Sequence, residues 1–389
     1  MKELVIKTTE ALKYEFISLS EFIYENPELG YEEFKSSKAH IDLLKKHGFK
    51  VEEKYLGIET AFKAEYIGKK NGPTIAYFSE YDALPGIGHG CGHNILGATS
   101  TGSGIVLSKF VDEIGGKVVV FGTPAEETSG AKVEMAEKGA FKDIDVAMVA
   151  HPESKYIQSG NALALYPIQF TFKGKAAHAA TFPEKGINAL DGVILTFNAV
   201  NALREHILPS TRIHGIIKKG GEAANIVPEL TVAQFYIRAT YKNYLQEVLE
   251  KVINCAKGAS IATGTELEIS TFEAVYDNLV TNQTLSNAYK KSLMSLGVEN
   301  ITEPELFNGS LDMGNVSHFC PTIHPFFNIC KEGQDLTLHT KEFAKATLTD
   351  TAYENMIKVI CALVLTGIDV IKDEHLLKDI KKEFEGTEK

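Results

Sequence analysis

Apolar side chains at Leu12, Phe16, Leu19 and Ile23 recur at the spacing that lays one stripe along a helix, which predicts a helix over 9–24. Asn26 and Pro27 end it. A second helix over 33–47 buries Ala39, Leu43 and Leu44; Lys45, Lys46 and His47 suit its negative end, and Gly48 supplies a left-handed cap. The stretch 51–66 reads as a pair of strands. An uninterrupted apolar run over 74–78 then stops at two carboxylates, Glu80 and Asp82, and a Pro/Gly loop leads to Cys91 and His93.

That arrangement recurs twice. The run 117–122 enters Thr123, Pro124, Ala125, Glu126 and Glu127, and the run 145–150 ends on His151. Continuous apolar runs of this length read as strands buried on both faces. A small-residue helix over 94–111 and another over 131–141 separate them, and alternating strands and helices imply a mostly parallel sheet. Chemistry in such sheets is presented beyond the carboxyl ends of the strands.

Past His151 the period changes. Ile168, Phe170 and Phe172 alternate with polar neighbours, the mark of a half-exposed antiparallel strand. A helix over 188–204, strands near 213–217 and 232–240, an amphipathic helix over 244–259 and a strand over 266–272 follow. This order is that of the ferredoxin-like α/β sandwich. Helix and strand alternation returns with a helix over 282–293, a strand over 326–329 and a final helix over 350–365 ending at Gly367. The expected architecture is an α/β catalytic domain with a mostly parallel sheet, in two parts over 1–166 and 276–389, with a smaller ferredoxin-like domain inserted over 167–275.

Composition narrows the function. A chain of 389 residues exceeds one ordinary core, so two domains are expected. A net charge of -11 opposes a general nucleic-acid surface. The N-terminus lacks a signal-peptide core, and no run reaches the ~20 apolar residues of a membrane span, so the expectation is a cytosolic protein. Five widely spaced cysteines give no disulfide expectation; four read as buried, while Cys91, between two glycines and two residues from His93, does not.

A thiolate, imidazoles and carboxylates at one sheet edge are ligand types for zinc, with manganese also acceptable. The candidates are Cys91, His93, Glu127, His151 and, from the far end, His339. Five ligands exceed the need of one tetrahedral ion, which implies two divalent ions about 3.5 to 4 Å apart sharing a bridging group. A water held between them has a pKa lowered to roughly 7. One of Glu126 and Glu127 then binds metal while its neighbour serves as general base; the residues alone leave the order open. His339 is an ordinary loop histidine on local sequence.

The stretches PELGYEE, DALPGIGHGCGHN, FGTPAEE with SGAKVEMAEKGAF, VAHP, KAAHAATFPEKGINAL, GGEAANIVPE, GSLDMGNVS and LHTKEF occur in one order along nearly the whole chain. Together they resemble peptidase family M-twenty, in its amidohydrolase branch of p-aminobenzoyl-glutamate hydrolase-like and dipeptidase-like proteins. The resemblance implies Cys91 as bridging ligand, His93, Glu127, His151 and His339 as the other ligands, Glu126 as general base and Asp82 as the carboxylate that orients the site. It implies that the inserted domain is a lid and dimerisation domain, that His178 stabilises the oxyanion in the partner subunit's site, and that Asn225 and Arg238 hold a substrate carboxylate. The implied activity is hydrolysis of an amide joining an acyl or aminoacyl group to an amino acid, in a homodimer or higher homo-oligomer. N-acyl amino acids, dipeptides and p-aminobenzoyl-glutamate all fit.

Two positions depart from the family pattern. Asn94 stands where the branch usually has Asp, which questions any bond from that position to His93; Glu80 stands where the wider family has a metal histidine. A metal-binding scaffold without hydrolase activity would more readily lack Glu126. A Cys91–His93 dyad is opposed by spacing, since residues two apart in a glycine loop rarely align as nucleophile and base. His89, His318 and His324 read as structural, and His40, His47, His206, His214 and His375 as surface residues.

Overall fold

In a computed structural model, which describes residues 1–304 and 309–387, the two hydrophobic periodicities sort into two cores. One compact unit comprises Met1–Asn161 and the chain from Leu279 onward; the other is Ala162–Asn278. The second unit is wider than the 167–275 expected. Its first strand starts at Ala164, opposite Ala239, and Leu165 exchanges backbone hydrogen bonds of 2.8 and 3.0 Å with Tyr276.

In the first unit a six-stranded sheet has the spatial order Lys50–Glu53, Phe62–Ile67, Lys117–Gly122, Thr74–Ser79, Val146–Met148, Thr322–Ile323. The last four are parallel to one another, and Phe62–Ile67 runs antiparallel to Lys117–Gly122. Ser79 pairs with Gly122, so Glu80 and Thr123 leave the sheet side by side. The helix His93–Ile114 lies against this sheet, and its small residues make the approach possible. A Cβ on Gly104 would sit 2.3 Å from Val120, and one on Gly97 2.5 Å from the Glu80 carbonyl.

A small sheet of Ile301–Thr302, Tyr156–Ile157, Phe326–Asn328 and His151–Glu153 continues beyond that edge and fixes His151 opposite Phe326. The C-terminal helix Asp350–Lys372 continues past Gly367, which was expected to end it. Gly367 is there for close packing: its absent Cβ would lie 3.0 Å from Leu107 and 3.1 Å from the Tyr77 hydroxyl. A further helix, Glu374–Gly386, follows.

The second unit is an antiparallel sheet in the order Glu266–Thr271, Ala164–Lys173, Leu230–Ala239, Arg212–Lys219, with the helices Ala189–Leu203 and Lys242–Thr263. Numbered along the chain the strands lie 4-1-3-2, the ferredoxin-like order. Ile168, Phe170, Phe172, Phe235 and Ile237 project to one face and meet Val193, Val200, Val248 and Val252 of the helices. Each such side chain contributes about 1.5–3 kcal/mol by burial. Among the described residues no helix is long and apolar enough to cross a membrane.

Candidate metal centre

The Cys91 loop depends on glycine. Gly92 has φ +81°, and a Cβ there would meet Pro152 at 2.5 Å, so the loop presses directly on the segment that carries His151. Cys91 Sγ lies 3.4 Å from His151 Nε2. His151 Nδ1 is 2.8 Å from the Pro152 carbonyl, a contact that assigns the ring proton to Nδ1 and leaves the Nε2 lone pair facing the thiol.

His93, fully buried at the first turn of its helix, has Nδ1 2.8 Å from Asp82 Oδ1. The second Asp82 oxygen accepts the Glu127 N–H at 2.9 Å. Asp82 therefore orients one candidate ligand and the backbone of another. His93 Nε2 and Glu127 Oε1 are buried atoms with no hydrogen-bond partner among the described residues. His339, from the far end of the chain, holds φ +63°, donates its N–H to the Gly90 carbonyl at 2.8 Å and brings Nε2 to 3.5 Å from Glu127 Oε1. Glu126 Oε2 is 3.9 Å from His93 Nε2.

Among the described residues, donor atoms therefore gather in three groups, each within 4.8 Å: Cys91, His93 and His151; Cys91, Glu127 and His339; and His93, Glu126 and Glu127. Thiolate, imidazole and carboxylate donors with orphaned buried atoms fit a divalent cation, and Cys91 is common to two groups. Burial, then the charges of His324 and His93, lowers the His151 pKa to about 3, so its ring is neutral as a ligand must be. Burial, followed by the charges of Asp312 and Glu80, pushes the Glu126 carboxyl well above the usual carboxylate range.

Next to the candidate ligands is a buried ion triad to which the sequence pattern assigns no role. Lys132 Nζ is 2.8 Å from Glu80 Oε1 and 2.7 Å from Asp312 Oδ1. The other Glu80 oxygen has no hydrogen-bond partner among the described residues and stands 3.4 Å from His93 Nε2. Lys132 sits among Ala131, Val133 and Met135 on a buried helix, and a lysine there was the available signal. His324, also read as structural, is buried with its ring centroid 5.6 Å from that of His151. His40 is not on the surface: it is fully buried, with Nδ1 2.8 Å from the Thr101 hydroxyl. Cys255 is half-buried.

Asn94 does not address His93. Its amide donates to Ser20 and Thr347 hydroxyls at 3.1 Å each, and Asp82 makes the His93 contact.

In the second unit His178 is exposed, and its Nδ1 accepts from the Ala180 and Thr181 N–H groups at 3.3 and 3.2 Å, which assigns the ring proton to Nε2. Ala179 N–H donates to the Asn225 carbonyl at 3.0 Å, so His178 and Asn225 occupy adjoining loops. Arg238 is half-buried on the strand Leu230–Ala239, over the Tyr236 ring at 5.8 Å.

Residues 168–262 match the family model described as a peptidase dimerisation domain. The chain is 36% identical over 387 residues to the Xaa-Arg dipeptidase of Mus musculus, covering 94% of this chain and 88% of the relative. It is 34% identical to a p-aminobenzoyl-glutamate hydrolase polypeptide of Escherichia coli, covering 76% of this chain and 66% of the relative. Among solved structures, a dinuclear metal-binding peptidase of Bacillus subtilis superposes with a TM-score of 0.68 at 18% identity, over 93% of this chain and 99% of that one. Fold and relatives define the class, hydrolases of amide bonds. The chain belongs to the M-twenty peptidase family.

Proposed function

We propose that this chain is a two-metal amidohydrolase that cleaves the amide between an acyl or aminoacyl group and an amino acid bearing a free carboxylate. The observation that carries the reading is the sharing of Cys91 by two donor groups, one completed by His93 and His151 and the other by Glu127 and His339. Two divalent cations held there, zinc or manganese, would polarise the scissile carbonyl and acidify a water. Glu126 takes the proton of the attacking water and returns it to the leaving amine, as a carboxylate general base within 3.9 Å of His93 Nε2 can do. Asp82 keeps His93 and the Glu127 backbone in place.

His178, with its proton on Nε2, has the tautomer needed to donate to an oxyanion, a contribution of about 3 kcal/mol for a typical donor. We assign it that role across a homodimer formed by the inserted domain, with Asn225 and Arg238 holding the substrate carboxylate. The guanidinium suits a carboxylate through paired N–H donors.

For the substrate we propose dipeptides with a basic C-terminal residue. The mouse relative is named for Xaa-Arg dipeptides. A cavity of about 640 Å³, bounded in part by Leu338 and by Phe326, whose ring centroid is 5.6 Å from that of His151, has three carboxylates in its wall, Glu153, Glu303 and Asp335, against one lysine, Lys155, which pairs with Asp335 at 3.5 Å.

The test is a hydrolysis screen on Xaa-Arg, Xaa-Lys and Xaa-Glu dipeptides, N-acyl amino acids and p-aminobenzoyl-glutamate, with elemental analysis of the same sample. Glu126→Gln should retain both metals and lose roughly 10²- to 10⁴-fold in kcat. Full turnover in that variant, or in chelator-treated enzyme, refutes the mechanism. A preference for Xaa-Glu refutes the basic-substrate assignment alone.

A further inference from the structure

The loop over 27–33 contributes no candidate ligand, yet it grips two of the segments that carry the centre. Its Glu28 carbonyl accepts the N–H of Ala83, the residue after Asp82, at 2.8 Å. Its Glu33 side chain is fully buried. One Glu33 oxygen accepts the Ala125 N–H at 2.8 Å, and the other accepts the Thr60 hydroxyl at 2.8 Å. Gly30 closes the grip from the side: a Cβ there would stand 2.9 Å from Ala125 Cβ and 2.8 Å from the Thr128 hydroxyl.

What is gripped is a strained turn. Ala125 has φ +62°, a left-handed conformation that an alanine rarely adopts without support. Its carbonyl receives the Gly130 N–H at 2.8 Å, so the chain reverses there and Glu126 and Glu127 are delivered by that reversal. An alanine released from its Glu33 contact relaxes toward negative φ, and the two carboxylates that follow move with it.

We propose that Glu33, seated by Thr60 and backed by Gly30, is a positioning residue of this hydrolase. It holds Ala125 left-handed and thereby places Glu126 against the reacting water and Glu127 against its metal. The inference rests on the roles given above to Glu126 and Glu127. It gives the PELGYEE motif, which has no ligand of its own, a mechanical task.

Three variants test it. Glu33→Ala removes the acceptor and should lower kcat roughly 10²-fold, the order expected for a misplacement of about 1 Å, with KM little changed. The same variant, titrated with cobalt(II) and followed by its visible absorption, should hold one ion normally and the other weakly. Glu33→Gln keeps an acceptor for the Ala125 N–H and should restore kcat and both ions. Gly30→Ala leaves the hydrogen bond but drives a methyl into Ala125, and should reproduce the Glu33→Ala losses; it decides the matter if Glu33→Ala does not fold.

Leu44→Ala, a core truncation away from the turn, controls for a mere loss of stability and should keep kcat per folded molecule. If Glu33→Ala and Gly30→Ala lower the Tm but keep kcat and both ions while Glu126→Gln is inactive, the positioning role is overturned and the catalytic reading stands. If Glu126→Gln is itself fully active, the catalytic reading has failed.

Discussion

Replacing Lys132 by Met should destabilise the first unit more than any substitution at an exposed ion pair. Lys132, Glu80 and Asp312 have side chains at most 2% exposed, and the two contacts are 2.8 and 2.7 Å long. At an effective dielectric near 20 each contact is worth about 6 kcal/mol of attraction. Removing three charges from water offsets most of that sum, but truncating the cation leaves two carboxylates buried without compensation. The expected loss is about 3–5 kcal/mol, against roughly 5–15 kcal/mol of total stability for a typical domain.

The pH dependence gives the signature. Burial opposes ionisation of Glu80, and the Lys132 charge overrides it to hold the pKa at about 2; burial followed by the Lys132 charge leaves Asp312 at about 6, above its ordinary 3.8. A depressed carboxylate contributes stability above its unfolded pKa, 4.5 for Glu80, and loses it as pH falls through about 2. Without Lys132 both carboxyls take up protons at higher pH, so the deficit of Lys132→Met should shrink as pH is lowered from about 8 to about 5. Urea unfolding of chelator-treated protein, followed by far-ultraviolet circular dichroism, measures it. Lys132→Met/Asp312→Asn removes one of the stranded charges and should recover at least ~1.5 kcal/mol of the loss. A deficit below about 1 kcal/mol, or one that does not change with pH, refutes the argument.

Glu33 has a pKa raised to about 7 from 4.5 by burial and then by the Asp82 charge. A raised pKa means that its contribution is fully present below about 4.5 and is lost as pH rises through about 7, a difference of about 3 kcal/mol that Glu33→Gln does not suffer. Chelator-treated Glu33→Gln should therefore gain on the wild type as pH rises over that window, and parallel stability curves would count against it. Asn94→Ala removes the buried donor to the Ser20 and Thr347 hydroxyls, of which Thr347 keeps its bond to the Ala344 carbonyl; it should cost about 1–3 kcal/mol in denaturant unfolding while kcat stays within a few-fold.

Strand ends were legible because local order alone creates them. Apolar runs at 74–78, 117–122 and 145–150 demand burial on both faces, and the polar residues that follow have nowhere to go but the sheet's edge. The small residues of 94–111 likewise announce a helix that lies close to a sheet. Periodicity could not distinguish His40 on a buried helix face from a surface histidine, since its place depends on Thr101, 61 residues later. It also read Gly367 as a stop signal, whereas the nearness of Leu107 and Tyr77 makes it a packing glycine.

The sequence by itself determined which chemistries the chain owns and at which strand ends most of them emerge, because hydrophobic period is a property of neighbours along the backbone. Only the tertiary structure decided which of them meet. Cys91 reaches His151 across 60 residues and Lys132 reaches Asp312 across 180. Register between strands, glycine-sized gaps and paired buried charges set those meetings, and none of these is encoded within the few residues around either partner.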